Sequence, residues 1–109
     1  MNIADAHKAI EDIYRNAKPY AQAKANRVYC EEFRKSKKAL LMAESTAEAA
    51  NAREQYAYSH PEYLQLLDAL KAAVSIEEEL RWKMVAAQAR IEVIRSEEAS
   101  ARLMDRVTQ

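Results

Sequence analysis

The sequence predicts an all-α fold: a short N-terminal helix followed by a long antiparallel helical hairpin, coiled-coil-like and assembling into a bundle. Three observations predict it. The chain has 109 residues, no glycine and only two prolines. Ala, Glu, Lys, Leu and Arg dominate, as in long helices and coiled coils. Apolar residues recur at steps of three and four, and no stretch sustains the alternation of a strand. Pro19 and Pro61 then divide a single all-helical domain, residues 1–109, into three segments.

The first helix is expected over about residues 3–17. Ile3, Ala6, Ile10, Ile13 and Ala17 form one apolar stripe on it. Asn2 is placed to cap it, and Asp5 sits near its positive end. Pro19 stops this helix and suits the first turn of the next.

The second helix is expected over about 20–58. Tyr29, Phe33, Ser36, Leu40, Ala43, Ala47, Ala50 and Ala57 hold a heptad a/d register, which Glu54 breaks. Ser59, Pro61 and Glu62 read as a helix start, with Ser59 as cap and Glu62 at the capping-box position.

The third helix follows, over about 61–105. Its stripe is Leu66, Leu70, Ala73, Leu80, Met84, Ala87, Ile91, Ile94 and Ala101, interrupted by Glu77 and Glu98. A Glu77 on the stripe needs a basic partner or a proton. The preferred reading of that position is a wet boundary between subunits.

Length has a consequence. Helix two, at ~39 residues, would be roughly 58 Å long, whereas a compact domain of this size has a radius of gyration of only ~13 Å. A rod is therefore expected, with little core for its surface. Leu67, Val74 and Ile76 widen the apolar face of helix three beyond what one partner helix needs. Self-association follows, with Leu67, Leu70, Val74, Ile76, Leu80 and Trp82 at the interface. A three-helix monomer, with helix one covering the extra face, is the competing arrangement.

The net charge is zero, but its parts are not. Residues 1–38 carry nine Lys or Arg and five Asp or Glu; residues 39–79 carry two and eight; residues 80–109 carry six and four. Closing the hairpin near 59–60 sets side by side positions whose numbers add to about 120. The basic stretches 18–38 and 81–102 would then pool at the open end, with the acidic middle at the turn. Lys24, Arg27, Arg34, Lys35, Lys37, Lys38, Arg90 and Arg95 are the candidate contact residues for nucleic acid or an acidic partner. Basic groups neutralise phosphates, and Tyr14, Tyr20, Tyr29 and Trp82 could stack on unpaired bases. The ordinary alternative is that these cations pair with Glu31, Glu32, Glu92 and Glu97.

Enzyme chemistry is not expected. Without glycine there is no phosphate-cradling loop, dinucleotide fingerprint or nucleophile elbow. His7 and His60 lack metal-ligand spacing, Cys30 reads as a small packing residue, and Glu77, Glu78 and Glu79 lack the Glu-x-x-His of di-iron bundles. No metal, cofactor or small-molecule substrate is expected. One cysteine gives no disulfide framework, residues 1–14 do not read as a signal peptide, and no run of ~18 apolar residues exists to span a membrane. A cytoplasmic location is the expectation.

The stretches Arg27-Val-Tyr-Cys-Glu-Glu-Phe-Arg-Lys-Ser-Lys-Lys-Ala-Leu-Leu-Met42 and Ala87-Gln-Ala-Arg-Ile-Glu-Val-Ile-Arg95 resemble small helical proteins of tailed bacteriophages and prophages, encoded near early recombination and replication genes. The resemblance covers most of the chain. It implies the cytoplasm of a bacterial host and an accessory role in phage DNA metabolism, and it supplies no site residues. The expected function is thus non-enzymatic: a homo-oligomer acting through its basic tip on single-stranded DNA or on a phage or host DNA-metabolism protein. Two alternatives stand beside it, an adaptor or inhibitor of a host factor without nucleic-acid contact and a purely structural oligomer.

Overall fold

The computed structural model describes residues 3–108, which form three helices: α1 (Ile3–Glu44), α2 (Ala50–Ser59) and α3 (Pro61–Thr108). No strand occurs among the described residues. The expected cap Asn2 lies outside them. The all-α hairpin is as predicted, but its helix boundaries are not.

Pro19 does not end a helix. The expected helices 3–17 and 20–58 are joined through it, and α1 runs to Glu44. A proline inside a helix removes one backbone hydrogen bond and costs about 3 kcal/mol. A continuous packed stripe outweighs that cost. From Ala6 to Leu41 every third or fourth residue of α1 is buried or half-buried, with no break at Pro19, which itself is exposed. Heptad positions a are Ala6, Ile13, Tyr20, Arg27, Arg34 and Leu41; positions d are Ala9, Asn16, Ala23, Cys30 and Lys37. Asn16 is tolerated there because its side-chain amide donates to the Asp12 carbonyl at 2.7 Å.

The second expected helix also fails to reach residue 58 unbroken. Ser45 ends α1. Its N–H is shared between the Leu41 and Met42 carbonyls, and its hydroxyl accepts from the Ala47 N–H at 3.2 Å. Such a serine offers the backbone an alternative to the helix. Arg53 Nε then donates to the Ala47 carbonyl, and α2 begins without a side-chain cap.

At the next junction the cap is His60 rather than Ser59. Pro61 keeps the preceding residue extended, and His60 has φ −68° and ψ 135°. Its Nδ1 accepts from the Glu62 N–H at 3.1 Å. The Ser59 hydroxyl instead donates back to the Gln55 and Tyr56 carbonyls.

Two compact units result, one from residues 3–20 and 78–108, the other from residues 21–77. In each, α1 and α3 pack along their heptad stripes. On α3 these are Tyr63, Leu70, Glu77, Met84 and Ile91 at a, and Leu66, Ala73, Leu80, Ala87 and Ile94 at d, all buried or half-buried. That stripe is the predicted one, except that Ala101 is exposed. In the unit 21–77, Leu41, Ala57 and Tyr63 form a buried cluster flanked by Met42 and Leu67, so α2 closes over the end of α1.

The pairing differs from closure at 59–60, which would set Arg27 beside Val93. Arg27 meets Glu77, and Lys37 meets Glu62. The reversal is spread over the whole of residues 45–60, because α2 is a separate helix rather than the end of α1.

Candidate interaction surface

Six of the eight candidate contact residues lie in the unit 21–77, and two, Arg90 and Arg95, in the other. Their surroundings differ sharply.

Arg27 faces inward. Its Nε and Nη2 fork onto the two Glu77 oxygens, the latter at 3.0 Å, and Nη1 reaches Glu31 at 3.1 Å. Glu77 is 6% exposed, and these bonds supply the basic partner that its stripe position requires. The Glu77 and Glu31 carboxylates hold the Arg27 guanidinium well above its ordinary value. Glu77 therefore lies inside the hairpin of one chain, not at the wet subunit boundary first expected there.

The cluster from Arg34 to Lys38 sits beside the acidic turn instead of pooling with other cations. Lys37 pairs with Glu62 and pulls that carboxyl below its ordinary value. Lys38 lies 4.7 Å from the Tyr58 ring centroid and 3.3 Å from Glu54. Tyr58 first, and then Glu54, raise the Lys38 ammonium above its ordinary value. Lys35 pairs with Glu32, one turn away. Arg34 is half-buried in a small recess of about 230 Å³ with Lys35, Lys38, Tyr58 and Tyr63.

In the other unit, Arg95 pairs with Glu92 at 3.1 Å. Arg90 is exposed and lines a groove of about 390 Å³ with Asp12, Arg15, Asn16 and Lys83. Arg15 is held loosely by Asp12 at 3.7 Å, and Lys83 by Glu79 at 3.5 Å. This grouping was missed in the sequence because Arg15 and Lys83 become neighbours only through the pairing of α1 with α3. Of the eight candidate contact residues, Lys24, Arg34 and Arg90 have no ion-pair partner among the described residues.

Of the four aromatics, Tyr20 is half-buried on the stripe, while Tyr14, Tyr29 and Trp82 are exposed. The Arg81 guanidinium lies 4.5 Å from the Trp82 ring centroid, so one face of the indole is already engaged.

The candidate interface residues do not share one face. Leu70 and Leu80 are half-buried between α1 and α3. Leu67 and Val74 lie at heptad e, Ile76 at g and Trp82 at f, pointing three ways.

Among the described residues no cluster of three or more His, Cys, Asp or Glu is placed to hold a metal ion. No described helix is long and apolar enough to cross a membrane. Comparison with family models, curated proteins and solved structures finds no match to this chain.

Proposed function

We propose that this chain is a non-enzymatic helical protein that works by contact, and that its first partner is another copy of itself. The observation that carries this reading is the inverted distribution of apolar side chains. The buried apolar residues are Ala9, Ala23, Leu41, Ala57, Tyr63, Ala87 and Ile94, four of them alanine. Ile3, Ile10, Tyr14, Tyr29, Phe33, Leu40, Ile76 and Trp82 are all exposed. A hairpin that leaves these large residues exposed has further hydrophobic gain to collect. Light scattering coupled to size exclusion tests it. The expected mass is a multiple of 12.5 kDa, and a monomer at micromolar concentration refutes the reading.

A second reading adds nucleic acid, in the bacterial cytoplasm and in the accessory phage role that the resemblance implies. What favours it is the groove of Arg15, Lys83 and Arg90, together with unpaired Lys24 and Arg34. Phosphate contacts are lost steeply with salt. Single-stranded oligonucleotides should therefore shift on a gel at ~50 mM salt and be released by ~200 mM. No shift at the lower salt removes this version.

A further inference from the structure

We infer that a second copy docks on one particular side of the unit 21–77, around Ser36 of α1, in an antiparallel α1-to-α1 contact. This rests on the assembly reading above and names its surface.

Two registers run along α1. The inward one holds positions a and d. The outward one, at positions c and g, has no charge from Gln22 to Ala43, a span of six helical turns. Tyr29, Phe33, Ser36, Leu40 and Ala43 lie on it. Tyr29 is 67% exposed, Leu40 58% and Phe33 37%. Tyr29 and Phe33 stack with ring centroids 5.8 Å apart and planes 5° from parallel, which presents one continuous apolar edge. On α3 of the same unit the matching positions are Glu62, which Lys37 pairs, then Gln65, Ala69, Ala72 and Ile76, with Ile76 53% exposed.

The opposite flank at b and e is unlike it. There Lys24, Glu31, Lys35 and Lys38 interrupt the apolar residues. An uncharged face gives phosphates or an acidic partner nothing to bind, which excludes nucleic acid as its occupant.

The pattern matches itself. A twofold axis through Ser36 sets Phe33 of one copy against Leu40 of the other, and Tyr29 against Ala43. Apolar meets apolar on both sides of the axis, and the small Ser36 lies on it, where the helices come closest.

The area suffices. The chain exposes 8172 Å², whereas a compact monomer of its mass would expose about 6,200 Å². The surplus, roughly 2,000 Å², exceeds the ~800 Å² that each partner buries in a standard stable interface.

The test uses the full chain. Phe33→Glu and Leu40→Glu place a charge in the contact but on the solvent side of the hairpin. Each should weaken self-association about 100-fold while far-ultraviolet circular dichroism stays helical. In a Cys30→Ser background, Ser36→Cys should give a disulfide-linked dimer on mild oxidation, because only a position on the axis brings two thiols within bonding range. Val28→Cys, on the charged flank, should not. A wild-type monomer sinks the assembly reading itself. A wild-type oligomer whose mass ignores Phe33→Glu and Leu40→Glu, or which cross-links through position 28 and not through 36, overturns this face alone.

Discussion

At the scale of single residues, several cations of this chain serve as internal partners. Lys37 and Glu62 join α1 to the first turn of α3, and Lys37 lowers the Glu62 carboxyl from its ordinary value near 4.5. A carboxyl lowered in the folded state binds its proton later than it does in the unfolded chain. The pair therefore adds stability above that ordinary value and loses it as pH falls through the lower folded one. Replacing Lys37 by Met should remove this contribution, so the melting temperature of the variant should fall less steeply than wild type as pH drops below 4.5. Parallel curves for the two proteins would contradict the assignment. His60 shows the same economy at a helix start, where its imidazole does the work of a serine or aspartate cap.

At the scale of elements, one polar layer fixes how α1 meets α3. From Tyr63 to Ile94 every a and d position of α3 except Glu77 is apolar, and its partner Arg27 interrupts α1 at the same level. A one-heptad slip one way would set Glu77 against Tyr20 and Arg27 against Leu70; the other way Glu77 would meet Arg34 but Arg27 would meet Met84, so either slip buries a charge against an apolar residue, which is strongly unfavourable. Arg27→Ala should lower the melting temperature more than Lys35→Ala, whose partner Glu32 is exposed. The double substitution Arg27→Met with Glu77→Leu should recover most of that loss. A double variant as unstable as the single one would show that the layer acts by packing alone.

The legibility of the two long helices differs for the same reason. On α3 the stripe from Leu66 to Ile94 was readable because its large apolar residues are the ones that pack. On α1 most inward positions are alanine, Asn16, Cys30 and three cations, beside Ile13, Tyr20 and Leu41, while Tyr14, Tyr29 and Phe33 point out. Reading by size therefore selected Tyr29, Phe33 and Leu40, the outward register. The unbroken three-and-four spacing from Ala6 to Leu41 was present in the sequence, and so was the Ser45-Thr46 pair that ends the helix. Neither has the visibility of proline or glycine. The reversal was placed at Ser59 because Pro61 marks it, and the pairing was displaced accordingly.

At the scale of the whole molecule, zero net charge conceals local excesses that folding largely cancels. The acidic middle was expected to gather at the turn, apart from the cations, but Glu54 and Glu62 meet Lys38 and Lys37 there. Among the described residues, Arg15, Lys83 and Arg90 bring cations from two elements together, and of these Arg90 alone was legible as a candidate. Salt separates the two modes of contact. Assembly through an uncharged apolar face should persist or strengthen between ~50 and ~200 mM salt, whereas any nucleic-acid complex should dissolve over that range. A mass that falls to the monomer as salt rises would assign assembly to charge. The connector between α1 and α2 has a separate consequence. Thr46, Glu48 and Ala49 are exposed, and the Ala47 carbonyl anchors Arg53 from inside the bend. The Ala49 carbonyl accepts the Arg53 N–H at 3.1 Å and starts α2, so the exposed backbone just before it, at Glu48, is the natural splice point of the chain. A domain grafted there would hang from the protein without touching either long helix.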